Sequence, residues 1–524
     1  MISGTRTGPR YRALGIPRAS LATMASRLAG KSGAITAGLV GYLFFVEFVS
    51  GIIQGYYIPL IPDLARYLTI NDPEFNWFEA AQLLLSALVV PILAKLGDMI
   101  GHKKVLLIST VVTAGASWWL VAAADFWSFL IAWALQGFYV VWLPLEIALI
   151  FDRGRTTGRG PSQTRRAAGL LVVALQAGAI VGALGGGRIF DAFDGNVPLT
   201  FAVPAIAVTI AFFVILFGVP ESTPVPGRRL DTVGFVLLTL SLMTITSGLA
   251  FLRINGPEAI WVYLVILLGL ALLYPFGRWV LGHPDPAIDI RVLHRPEMWP
   301  VQLVAGLFGI SVLGAQAPLA TFAGTPVEAG YGLGLGASDI STIIGVYPIG
   351  MITGAALFSA TARRLSPRVA LIVATSLVAV GYLLFLPLHF TPVQVATNMV
   401  IAGLGSGALV AALPAAAAAA APLGQTGIAA GLTNTTKTIG GSFASAIFAI
   451  VVVYVGTQSV VATAGTYGGY MTVFAICGGT ALIGAVLLVF VPKLAFRDPI
   501  IDEVAESIAS PGAATARPDA ATEG

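Results

Sequence analysis

The sequence predicts an all-α polytopic membrane protein with fourteen transmembrane helices and both termini in the cytoplasm. Three observations carry this. Hydrophobic residues fill 57% of 524 positions and charged residues only 10%, against about 45–50% and about 25% in a soluble chain. Mean hydropathy is +0.88. The charges also fall in short clusters between long apolar runs. A single soluble core of this size is excluded, because such cores stop growing near ~250–300 residues.

Fourteen segments reach the ~20 mostly apolar residues needed to cross a bilayer. They lie at roughly 34–59, 77–97, 104–124, 127–150, 167–187, 199–219, 232–252, 260–280, 300–323, 338–360, 368–388, 392–421, 426–455 and 468–492. Backbone groups in lipid must be satisfied within a segment, so these are helices. The period-2 alternation of a membrane barrel is absent. Lysine and arginine then fix the sidedness. With the N-terminus inside and the spans alternating, all but four of the 29 basic residues fall on the cytoplasmic side. The exceptions are Arg66, Arg188 and Arg253 in outer loops and Lys437 inside span 13. One span more or fewer scrambles this pattern.

The basic leader carries six Lys or Arg and no acid before residue 33. The apolar run after it, Gly33 to Pro59, is too long for a signal-peptide core, so it reads as an uncleaved first span. The single cysteine, Cys477, lies in an apolar run and excludes an intrachain disulfide. The net charge of +4 sits in loops between spans, which argues against nucleic acid. No Gly-x-x-x-x-Gly-Lys-Ser/Thr loop is present, so ATP is not the expected energy source. No metal-ligand cluster stands out, and no cofactor is expected. The alanine run 415–421 reads as a closely packed small-residue helix.

Several local patterns exceed what a generic membrane protein requires. Between spans 2 and 3 the chain reads Gly97-Asp98-Met99-Ile100-Gly101-His102-Lys103-Lys104. An acid at a helix end, a turn glycine and a basic cluster suit a hairpin pinned at the cytoplasmic surface. In span 5, Gly178, Gly182 and Gly186 recur every fourth residue on one face, which lets a neighbouring backbone come close. Arg229-Leu230-Asp231 opens span 7, Pro286-Ala287-Ile288-Asp289-Ile290-Arg291 precedes span 9, and the stretch from Gly427 to Thr435 opens span 13.

These features resemble the major facilitator superfamily, and the fourteen-helix drug:proton antiporter branch in particular. The hairpin resembles the family's signature loop, with Ala94 where a glycine is usual and Met99 where a base is usual. The span-5 glycines look like its antiporter motif, with Ala183 in place of the proline. Span 4 departs from it: in Trp133-Ala134-Leu135-Gln136-Gly137 a tryptophan stands where the family carries an arginine. Span 1 has Ser50 where the branch carries an aspartate. The resemblance implies a basic segment 1–33, a six-helix bundle 34–219, two inserted helices with loops 220–299, a second six-helix bundle 300–493 and a disordered tail 494–524. It gives Asp98, Gly101, Lys103, Lys104, Gly178, Gly182 and Gly186 conformational roles. A monomer in a bacterial plasma membrane is expected, and arginine in excess of lysine with abundant Ala and Gly fits a GC-rich genome.

Buried ionisable residues are the candidates for proton handling, since charge in a membrane helix is costly and tends to be functional. Glu47 lies near the middle of span 1, and Ser50, Gly51, Gln54 and Tyr57 continue one polar stripe from it. Lys437 is the one base deep in a span. Glu146 lies toward the cytoplasmic end of span 4, and Glu79 toward the outer end of span 2, where a solvated or capping role competes with coupling. Depth and helix phase nominate Gln54, Tyr57, Trp133, Gln136, Tyr139, Trp142, Gln316 and Asn434 as contacts for a small-molecule substrate at mid-membrane. The leading expectation is proton-driven export of small hydrophobic or amphipathic compounds by alternating access. A facilitator or uptake symporter is the rival, supported by the missing arginine. A lipid-linked glycosyltransferase using Asp63, Asp72 and Glu74 is remote, since a sizeable outer domain is lacking. A sensor or scaffold leaves Glu47 and Lys437 unexplained.

Overall fold

The computed structural model describes residues 37–155, 160–222, 224, 230–284, 286, 288–296, 298–420 and 426–490. The basic leader 1–33 and the tail 494–524 lie outside the described residues. Fourteen apolar helices succeed one another, with no strand among the described residues. They are α1 (Gly38–Tyr67), α2 (Asp72–Ile100), α3 (His102–Ala122), α4 (Phe126–Ile150), α5 (Gly169–Ala192), α6 (Val197–Gly218), α7 (Thr232–Asn255), α8 (Ile260–Gly282), α9 (Trp299–Gly324), α10 (Ala337–Phe358), α11 (Arg368–Leu383), α12 (Pro392–Pro414), α13 (Gly431–Tyr454) and α14 (Tyr467–Val489). Thirteen have the length and hydropathy to cross a bilayer. The shorter α11 stops at Leu383 although its apolar run continues, because Pro387 disfavours helix in the residues before it.

Local chemistry explains the helix ends and the tolerance for polar residues. Asp125 starts α4 by accepting from the Trp127 and Ser128 amides at 3.1 and 3.0 Å. Asp231 starts α7 by accepting from Gly234 N at 2.8 Å, and its Oδ1 also accepts from Trp279 Nε1 of α8 at 2.9 Å. Inside α3, Thr110, Thr113 and Ser117 donate to carbonyls one turn back at 2.7, 2.9 and 2.8 Å. Their hydroxyls therefore need no water in the bilayer.

The helices sort into two bundles and a pair. Helices α1–α6 pack together, as do α9–α14, and the two bundles meet along α2 against α13 and α5 against α10. The pair α7–α8 is joined by Ser241 Oγ donating to the Gly269 carbonyl at 2.7 Å. It rests across the α2/α13 seam, where Leu84 and Leu88 of α2 share a cluster with Leu238 and Leu242 of α7, flanked by Leu432, Ile439 and Phe443 of α13. Only 17% of the apolar stretch of α8 is buried, so most of it faces lipid.

Helices α1 and α5 touch backbone to backbone. A Cβ placed on Gly178, Gly182 or Gly186 would lie 2.0, 2.4 or 2.2 Å from the carbonyl oxygens of Phe48, Ile52 and Tyr56. From the other side, a Cβ on Gly51 or Gly55 would lie 2.0 or 2.3 Å from the carbonyl oxygens of Leu175 and Ala179. The glycine spacing read from the sequence is therefore a helix contact on both partners. Adding a methyl here overpacks the contact at a cost of about 1–3 kcal/mol. Gly182→Ala is expected to lower the Tm of the detergent-solubilised protein by roughly 2–6 °C. Gly115→Ala in α3, where nothing lies within 4 Å of the added carbon, is expected to leave it level or raise it. Equal Tm values for the two variants would refute the contact.

Candidate functional site: a cavity between the bundles

A cavity of about 40 Å³ lies where α1, α2 and α4 face α9. Its wall is formed by Ile53, Gln54, Tyr57 and Ile58 from α1, Glu79, Gln82 and Leu83 from α2, Trp133 and Tyr139 from α4, and Leu313 and Gln316 from α9. Two distortions aim these side chains. In α4 the residues Gly137–Val141 tighten into a 3₁₀ turn, with Gly137 pressed so close to α2 that an added Cβ would lie 2.6 Å from Ser86 Oγ. In α9 the residues Gly309–Leu313 widen into a π turn beside the Lys437 carbonyl, 1.9 Å from where a Cβ on Gly309 would sit. Such turns shift side-chain phase along a helix.

The aromatic side of the cavity is rigid. Trp133 meets Tyr57 edge-on at 5.3 Å, meets Phe75 at 5.2 Å and stacks on Phe129 at 5.5 Å. Gln136 Nε2 donates to the Tyr57 hydroxyl at 3.0 Å and to Ser117 Oγ at 3.1 Å. Tyr57 is thus fixed by a buried amide, and its ring is left to face the cavity.

Of the eight substrate contacts expected from the sequence, Gln54, Tyr57, Trp133, Tyr139 and Gln316 line the cavity. Gln136 does not; it stands behind Tyr57 as its hydrogen-bond partner. Trp142 does not either; it is fully buried behind Tyr139, 6.4 Å away ring to ring. Trp142 falls away from the wall because the 3₁₀ turn before it breaks the 3.6-residue phase. Asn434 also lies off the cavity wall, half-buried one turn before Thr438, whose hydroxyl donates to its carbonyl at 3.1 Å.

The acids are arranged differently from the sequence expectation. Glu79 was placed toward the outer end of span 2; it is buried and belongs to the cavity wall. The three-residue turn Asp72–Glu74 and the buried Phe75 and Phe78 precede it in the chain. Glu47 does not line the cavity; it is fully buried inside the first bundle, as is Glu146. Glu146 feels the charge of Glu47, and Tyr139 feels those of both Glu47 and Glu79. Among the described residues no group makes a hydrogen bond of ordinary geometry to either oxygen of Glu47 or Glu146, although the Ser50 hydroxyl is near enough to Glu47 to interact. Two carboxyls, Glu47 and Glu79, therefore act on Tyr139, and Glu146 joins the set through Glu47. Lys437, across the seam, is half-buried and makes no ion pair among the described residues.

The hairpin after α2 is tied to the end of α6. Gly101 takes φ +107°, a conformation that favours glycine, and a Cβ on it would meet the Glu221 carboxylate at 2.5 Å. Glu221 Oε1 accepts from the Lys103 amide at 3.0 Å, Ser222 Oγ from the His102 amide at 2.8 Å, and the Leu216 carbonyl from Lys103 Nζ at 2.8 Å. Asp98 reaches His102 Nε2 at 3.4 Å, and Lys104 is exposed. Glu221 and Ser222 had no signal in the sequence, being two polar residues after a long apolar run.

The bundles are joined above the cavity, at the end opposite this hairpin. Gly187 N donates to Ser341 Oγ at 2.8 Å, Arg188 to Thr342 Oγ1 at 3.1 Å, Ser442 Oγ to the Ala80 carbonyl at 2.8 Å and Asp72 N to the Thr463 carbonyl at 3.0 Å. Ser338 also bonds Asp191. The site is a mixed aromatic and amide chamber, with one carboxyl in its wall, closed at one end. Gln316→Trp is expected to fill the chamber and weaken ligand binding at least tenfold, as read by equilibrium dialysis with a unchanged Tm; binding that survives would put the ligand elsewhere.

Comparison with known proteins agrees with this architecture. A family model described as Major Facilitator Superfamily matches residues 43–445. The puromycin resistance protein of Streptomyces alboniger is 26% identical over 447 residues, covering 82% of this chain and 85% of that protein. The probable actinorhodin transporter of Streptomyces coelicolor is 24% identical over 417 residues, covering 75% and 68%. An uncharacterized MFS-type transporter of Mycobacterium tuberculosis is 24% identical over 435 residues, which make up 78% of this chain, and the chain spans 58% of that relative's length. Among solved structures, a peptide transporter POT in complex with sulfate aligns with TM-score 0.63 at 15% identity over 90% of this chain and 98% of that one. The human organic anion transporter MFSD10 aligns with TM-score 0.53 at 17% identity over 86% and 99%. At these identities the structural likeness is one of fold.

Proposed function

The chain belongs to the Major Facilitator Superfamily of transporters, and from that premise we propose that it exports small hydrophobic or amphipathic compounds across a bacterial plasma membrane in exchange for protons. The observation that carries this reading is the pairing of an aromatic chamber with buried carboxyls in the first bundle. Rings of Tyr57, Trp133 and Tyr139 offer apolar faces, amides of Gln54, Gln82 and Gln316 offer donors and acceptors, and Glu79 favours a ligand with positive charge. Glu47 and Glu146 carry the proton. They lie close enough to affect each other, and taking up one proton relieves two like charges facing each other out of water. Tyr139, which feels both Glu47 and Glu79, links this pair to the chamber.

With both termini inside, as the positive-inside pattern has it, the joined end of the bundles faces outward and the structure is the state closed on that side. Lys437 serves as a cation on the second bundle that faces the charge of the first when the seam rearranges. Asp98, Gly101, Lys103 and Lys104 act as the inner hinge, and Gly178, Gly182 and Gly186 keep α1 and α5 moving as one. The monomer is the working unit. The names of the two Streptomyces relatives, a puromycin resistance protein and a probable actinorhodin transporter, favour export of small organic molecules.

The test is uptake of puromycin and lipophilic dyes into inside-out vesicles with an imposed proton gradient. Glu47→Gln and Glu146→Gln are each expected to cut gradient-driven accumulation at least tenfold and to flatten its dependence on pH. Exchange of labelled for unlabelled compound, which needs no net proton movement, should survive. Unchanged accumulation in both variants would overturn proton handling by this pair.

The second reading is facilitated diffusion or uptake symport, and Trp133 in place of the family's arginine favours it. Counterflow in proteoliposomes separates the two. A facilitator equilibrates its substrate at the same rate with and without a proton gradient, whereas the exporter is expected to accelerate several-fold when the gradient is imposed.

A further inference from the structure

The inserted pair α7–α8 is set where it bridges both bundles at the joined end of the seam. Arg253 sits in the last turn of α7. Its guanidinium Nη2 stands 3.8 Å from Glu74 Oε1, at the start of α2 in the first bundle. The same guanidinium lies 6.0 Å from the ring centre of Tyr454, at the end of α13 in the second bundle. The Tyr454 hydroxyl returns the contact by donating to the Arg253 carbonyl at 3.1 Å. One residue of the inserted pair thus touches the outer tips of both helices that form the α2/α13 seam. Lower down, the same pair leans on Leu84 and Leu88 of α2 and on Ile439 and Phe443 of α13.

We infer that Arg253 is a positioning residue of the transport cycle: it latches the outer ends of α2 and α13 together and biases the protein toward the state closed on that side. Opening the outer end requires these two tips to part. A single guanidinium reaches Glu74 and Tyr454 at once only while they stay together. The contact is therefore made in one state and lost in the other, which is what shifts a two-state equilibrium. Each part is a partly exposed interaction of modest strength, so the latch moves populations by roughly three- to tenfold and does not lock the protein. A merely decorative helix pair has no reason to end its first helix on a cation between an acid and an aromatic ring.

The latch rests on the sidedness in the proposed function, and the experiment keeps the two apart. Gln316→Cys places a thiol in the chamber wall, and Cys477, the one native cysteine, is buried and supplies the blank. A membrane-impermeant maleimide is applied to whole cells and, separately, to inside-out vesicles. In Arg253→Gln and in Tyr454→Leu, labelling from outside is expected to speed up roughly three- to tenfold while labelling from the cytoplasmic face slows. Glu74→Gln should move both in the same directions by less and add nothing to Arg253→Gln. The reverse pair of changes, slower outside and faster inside, keeps the latch and overturns the orientation. Faster labelling from both faces means loosened folding and overturns the latch, as do unchanged rates from both. Should Arg253→Gln fail to fold, Tyr454→Leu and Glu74→Gln, which retain the arginine, decide the matter.

Discussion

The contact between α1 and α5, made backbone to backbone, is the constraint from which much of the rest follows. With Gly51 and Gly55 against Gly178, Gly182 and Gly186, the two helices leave no room for side chains between them. The polar side chains of α1 then turn the other way. Glu47 turns into the bundle, and Gln54 and Tyr57 turn onto the chamber. On α5, the next glycine, Gly187, is free to meet α10, where an added Cβ would come within 2.1 Å of the Ala337 carbonyl. One helix therefore serves as an internal strut for its own bundle and as half of the joint with the other. No hydrophobic effect drives helices together in lipid, so close approach and interhelical hydrogen bonds carry that work.

Polar groups in this protein fall into two kinds. Those that shape helices are satisfied one turn back or at a cap, as in α3 and at Asp125. Those without ordinary partners among the described residues are spread over both bundles and the inserted pair, but the two carboxyls among them, Glu47 and Glu146, are both in the first bundle. An unsatisfied carboxyl at this depth is costly, and its retention is the reason to read it as a moving part. The second bundle carries no counterpart acid in this position; Lys437 is its one Lys, Arg, Asp or Glu deep in a span. The two halves are alike in packing and unlike in chemistry.

Much of this was legible in the chain itself. Apolar length and the placement of Lys and Arg give the helices, and the four-residue spacing of glycines gives the α1–α5 contact on one partner. The site was half legible. Gln54 and Tyr57 lie on the chamber wall because α1 keeps its phase down to them, whereas Trp142 lies off it because the 3₁₀ turn before it alters the phase. Glu79 was read as peripheral because depth was counted along its own helix, and burial depends on what lies over it. Glu221, Ser222 and the two partners of Arg253 are contacts between residues remote in sequence, and nothing in their local spacing announces them.

The π turn in α9 carries a consequence of its own. A turn of this kind holds one residue more than its α-helical neighbours, so everything after Leu313 is rotated by about 100° relative to an uninterrupted helix. Gln316 reaches the chamber because of that surplus residue. Deleting a single amino acid here would leave the helix hydrogen-bonded and apolar, yet present a different side chain to whatever the chamber holds. Register in α9 is thus a dial for selectivity, turned by chain length alone.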